Sequence, residues 1–153
     1  MKRITLILVI LLFQGCSNSI NFIKENSIKK TIPDDIKQKL QLKNNQSLLI
    51  FTSLYFNDSI KVSQKKHIKL LSKINTDEII GVAKLVGVEP ENTIVEFINR
   101  NYKFFIKKED ISKYNYIYIS CYPKIDTATS IDGRDMLKAN YVIELSNTLR
   151  YFK

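Results

Sequence analysis

The chain has 153 residues, 44% of them hydrophobic and 25% charged, which allows one globular domain plus a targeting segment. Its net charge of +9 is almost all lysine, with arginine only at Arg3, Arg100, Arg134 and Arg150. Phosphate and base recognition favour arginine and the lysines are scattered, so nucleic acid is excluded as the expected partner. Only Cys16 and Cys121 are present, which excludes a disulfide framework.

The N-terminus reads as an address. Lys2 and Arg3 precede an apolar run from Ile4 to Phe13. A membrane-spanning helix needs about 20 apolar residues, so this shorter run reads as the core of a secretory signal peptide. "LFQGC", Leu12 to Cys16, follows at once. Gly15 and Cys16 fit, while Phe13 and Gln14 stand where the usual box has leucine and a small residue. The stretch resembles the lipobox of bacterial lipoproteins. That resemblance implies cleavage before Cys16, acylation there by chains such as palmitate, and anchoring in the bacterial cell envelope at the outer membrane or cell surface. The alternative is an ordinary secretory cut after Ser19, releasing a soluble secreted or periplasmic protein.

Residues 1–15 are thus expected to be the signal peptide and 16–45 a polar, lysine-rich tether. Within the tether, "PDDIKQKLQL" carries Pro33 at a helix start, Asp34 and Asp35 in the first turn and lysines later, and predicts a short helix. Residues 46–153 are expected to form the folded domain.

"SLLIFTSLYF" is apolar on both faces, the pattern of a central strand covered on two sides. After a turn at Asn57–Ser59, "IKVS" puts Ile60 and Val62 opposite Lys61. "HIKLLSKI" reads as a strand with Ile68, Leu70 and Ile74 on one face, an amphipathic helix being the competing reading. "EIIGVAKLVGVEP" reads as another strand, with bulges or close packing at Gly81 and Gly87. "TIVEFI" and "YKFFIKK" form a hairpin about Asn99–Asn101. Next come "KYNYIYISCYP", a polar loop from Pro123 to about Asn140, and a last strand, "YVIELS". Short strands at this spacing predict an all-β fold, an antiparallel β-sandwich of immunoglobulin-like size with seven to eight strands.

Alternation in "KYNYIYISCYP" sets Tyr114, Tyr116, Tyr118 and Tyr122 on one face and Ile117, Ile119 and Cys121 on the other. The isoleucine–cysteine face is the better core face. The tyrosines then point outward or lie beneath the following loop, where they are a candidate partner-binding surface.

No catalytic motif is visible. His67 is the only histidine, set among lysines, and no sequence context pairs it with Cys121. Asp126, Asp132 and Asp135 match no calcium-loop spacing, so no metal and no cofactor are expected. The expected function is non-catalytic: an envelope lipoprotein whose domain binds a protein or glycan or serves structure. The alternatives are a small hydrolase using carboxylates near the 123–140 loop, or an inhibitor or immunity protein.

Overall fold

The computed structural model describes residues 19–29, 31–53, 55–77, 79–123 and 139–150. Cys16 and the interior of the 123–140 loop lie outside them. The strands are β1 (Ser19–Lys24), β2 (Ser47–Ser53), β3 (Asp58–Gln64), β4 (His67–Ile74), β5 (Val82–Val88), β6 (Thr93–Phe97), β7 (Tyr102–Ile106), β8 (Tyr116–Pro123) and β9 (Ala139–Ser146). Two one-and-a-half-turn helices, α1 (Asp34–Lys39) and α2 (Lys108–Lys113), and a 3-10 turn at Ile98–Arg100 complete the described elements.

The strands form two packed sheets, so the expected sandwich is the fold. One sheet has five strands in the order β1-β9-β8-β2-β5, and the other has four in the order β4-β3-β6-β7. The four-stranded sheet is antiparallel throughout. The five-stranded sheet is mixed, because β1 pairs with β9 and β2 with β8 in parallel. Alternate residues from both sheets fill the space between them: Leu49 and Phe51, Ile60 and Val62, Val95 and Phe97, Phe104 and Ile106, Ile117 and Ile119, Ile143 and Leu145. Each such side chain contributes about 1.5–3 kcal/mol by leaving water, and together they set the register of every inner strand.

The double-sided apolar pattern of β2 is explained by its place. It lies between β8 and β5, with Leu49 and Phe51 facing the other sheet and Leu48 and Ile50 facing outward. That outward face is covered, and the cover corrects the expectation of a tether over 16–45. Ile32, Ile36, Leu40 and Leu42 fold back through α1 onto Leu48, Ile50, Val82, Tyr116 and Tyr118. The close fit shows at Gly87, where a Cβ atom would meet Leu42 Cδ2 at 2.7 Å. Ser19–Lys24 is likewise an edge strand of the domain.

Two other expectations change in detail. "HIKLLSKI" is a strand, but Val62 pairs with Leu70 and Ser63 with Ile68, so a bulge at Lys69 turns Ile68 outward while Leu70 packs on the core. Ile79 and Ile80 belong to the β4–β5 turn rather than to a strand. The Asp77 carboxylate accepts both of their N–H groups, and Gly81 takes the left-handed φ of 66° that closes the turn.

Candidate functional site

The tyrosine row is where the sequence pointed first, and the structure removes most of it from the surface. Tyr114, Tyr116 and Tyr118 are buried, and only Tyr122 is exposed. Tyr114 precedes β8 as the C-cap of α2 and joins the core between the sheets. Tyr116 and Tyr118 do face away from Ile117, Ile119 and Cys121, as alternation requires, but they lie beneath the α1 segment and Leu149. The Tyr118 hydroxyl donates to Thr148 O and accepts the Arg150 N–H, each at 3.0 Å. Arg150 also sits over the Tyr118 ring, 5.6 Å from its centroid, while gripping Glu144 with two nitrogens. These three tyrosines are therefore structural, and they do not form a partner-binding face.

A polar cluster that the sequence did not announce lies between the sheets, at the end where β8 runs out and β9 begins. Arg100, from the 3-10 turn Ile98–Arg100, donates through Nε to Asp58 Oδ1 at 2.7 Å and through Nη2 to Oδ2 at 2.8 Å. Its Nη1 donates to Cys121 Sγ at 3.3 Å. Burial is the largest single influence and disfavours the guanidinium charge, but the bond to Asp58 and the surrounding Cys121, Tyr141 and Asp58 groups together outweigh it and keep Arg100 cationic. Burial pushes the Cys121 thiol up despite the neighbouring arginine, so the sulfur stays protonated and accepts rather than attacks.

Tyr141 lies on β9 opposite Cys121, stacked between Phe97 and Tyr102 with centroids 4.6 and 5.0 Å away. Its hydroxyl is buried beside the Cys121 thiol and finds no well-formed hydrogen-bond partner among the described residues. Burial also raises its pKa. Tyr55 fares better, since its hydroxyl donates to Ile119 O at 2.7 Å. The charges in this cluster are consumed by each other. Its chemistry is that of a clamp between β3 and the Ile98–Arg100 turn of one sheet and β8 of the other.

The remaining candidates are dispersed. His67 pairs with Gln64, whereas Cys121 pairs with Ser53, so the two lie at opposite ends of the sandwich and cannot form a dyad. Glu89 bonds Lys69, whose ammonium holds that carboxyl below its usual range, and Glu91 pairs with Lys65. A groove of about 400 Å³ on the outer face of the four-stranded sheet is lined by Ile94, Phe105, Lys65, Lys108, Glu91 and Asn92. Among the described residues no group of three or more His, Cys, Asp or Glu side chains is placed to hold a metal ion. Asp126, Asp132 and Asp135 lie outside the described residues.

The fold and these sites define a small all-β sandwich with a sealed core. No family model matches this chain, and no curated protein matches it in sequence.

Proposed function

We propose that the protein is a bacterial envelope lipoprotein: a non-catalytic sandwich held at a membrane through acylated Cys16, with a structural or protein-binding role. The observation that carries this reading is where β1 begins. Its first residue, Ser19, already pairs with Asn140 of β9. A cut before Cys16 leaves that strand whole, with Ser17 and Asn18 as the lead to the lipid. The rival cut after Ser19 removes the strand's first residue.

The buried ionisable groups support a structural role, because Asp58 and Arg100 neutralise each other and Cys121 is held as a thiol. With Tyr114, Tyr116 and Tyr118 buried, the surface open to a protein partner is the outer face of the four-stranded sheet, where Ile68, Leu71 and Phe105 are exposed among lysines. Aromatic and aliphatic side chains presented on a rigid sheet suit protein contact.

Metabolic labelling with a fatty-acid analogue tests the anchor. The wild-type chain is expected to take up label and Cys16→Ala to take up none. Equal labelling of the two would refute acylation at Cys16.

A further inference from the structure

The strand registers sort the loops into two ends. At one end lie Ser19, where β1 begins, and Tyr122, both opposite Asn140. The β2–β3 turn is at this end too, because Ser53 pairs with Cys121 and Asp58 with Ile74. So is the β4–β5 turn, since Thr52 pairs with Val82, and so is the Ile98–Arg100 turn, since Phe97 pairs with both Ile60 and Tyr102. Five exposed large apolar side chains gather at this one end, four from its turns and one from the end of β8: Ile79 94%, Phe56 88%, Ile80 51%, Ile98 47% and Tyr122 47%, whereas Ile28, also exposed, stands alone beyond the far end of β1.

These tips are held in place. Asn57 N donates to Asn75 Oδ1 at 2.6 Å, Asn99 Nδ2 donates to Asn57 O at 3.1 Å, and Ser59 N donates to Asn99 Oδ1 at 3.2 Å. Uncharged asparagines therefore stitch three turns into one platform. Among the described residues the carboxylates at this end are Asp58, neutralised by Arg100, and Asp77, bonded to the Ile79 and Ile80 N–H groups. Glu25, Glu89 and Glu91 follow the far ends of β1 and β5, and Glu109 and Asp110 lie in the first turn of α2 beyond the far end of β7, away from it.

We infer that this end is a membrane-docking face on which Phe56, Ile79, Ile80, Ile98 and Tyr122 rest in the interfacial layer of a bilayer. The inference rests on the anchoring proposed above. Cys16 stands three residues before Ser19, a span of at most about 11 Å of extended chain. Acyl chains on Cys16 thus bring this end, and no other, down to the lipid. Fixed apolar tips then add a second membrane contact to the covalent one, and an apolar platform facing water is otherwise unfavourable.

The chain has no tryptophan, so a single introduced indole reports its own surroundings. The full-length lipoprotein carrying Phe56→Trp, Ile79→Trp or Lys66→Trp would be reconstituted into phosphatidylglycerol–phosphatidylcholine vesicles, with and without brominated acyl chains. Lys66 is exposed in the β3–β4 turn at the opposite end. The expected result is blue-shifted emission and loss of intensity to bromolipid for Phe56→Trp and Ile79→Trp, and neither change for Lys66→Trp. Protein that sediments with the vesicles while all three variants stay unquenched overturns the docking face and leaves the anchor standing. A blue shift without bromolipid quenching overturns it in favour of a protein contact. Protein that takes up no fatty-acid label and stays in the supernatant overturns the anchor, and the docking face with it.

Discussion

Arg100 holds both carboxylate oxygens of Asp58, forty-two residues away in sequence, at 2.7 and 2.8 Å, and reaches the Cys121 sulfur of the opposite sheet with its remaining nitrogen. One side chain thus ties the start of β3, the β6–β7 turn and β8 together. Asp58 is almost wholly buried and Arg100 partly exposed.

Replacing Asp58 by Asn leaves a half-buried guanidinium without its counter-charge. The expected loss is about 2–3 kcal/mol, below the range for a fully buried pair because water reaches one side of Arg100. Urea unfolding of wild type and Asp58→Asn checks it. An unchanged midpoint would show the clamp to be ornamental.

Tyr141 and Tyr118 make a contrasting pair. The Tyr141 hydroxyl is buried without a well-formed partner among the described residues, so Tyr141→Phe is expected to be neutral or to stabilise by up to about 1 kcal/mol. The Tyr118 hydroxyl has a donor and an acceptor partner, and Tyr118→Phe is expected to cost about 1–2 kcal/mol. Thermal melts of the two variants should move in opposite directions, or one should stay still while the other falls. A larger loss for Tyr141→Phe would contradict the burial described here.

Acid should weaken the β1–β9 edge first. The Glu25 carboxylate accepts from the Ser146 hydroxyl, the Asn147 N–H and the Thr148 hydroxyl. Ser146 above all holds its pKa below the ordinary 4.5, against the effect of burial. A carboxyl depressed in the folded state stabilises fully above its unfolded value, and that stability is lost as pH falls through the folded one. The stability gap between wild type and Glu25→Gln is therefore expected to be full at neutral pH and to close below about pH 4.5. A gap constant from pH 7 to pH 3 would contradict it.

Where strand patterns were strong, the sequence was enough to reach the sandwich. Ile60 with Val62, Tyr141 with Ile143 and Leu145, and the two-faced run Leu48–Phe51 all sit as alternation requires. The tether reading failed because Ile32, Ile36, Leu40 and Leu42 are thinly spread among lysines and asparagines. Their apolar face has meaning only against Tyr116 and Tyr118, which lie far along the chain. The same missing cover made the tyrosine row look like a surface. Asp58 and Arg100 were invisible as a pair, since nothing local to either residue signals a partner forty-two positions away. The docking end was equally hidden. Phe56, Ile79 and Ile98 read as strand residues or turn flanks until register gathers them on one end.

The account turns on the mature N-terminus, and mass spectrometry of the N-terminal peptide from membrane-isolated protein reads it directly. The predicted result is a chain that begins at Cys16 with a diacylglyceryl group on its sulfur. An unmodified chain that begins at Ile20 would contradict the account.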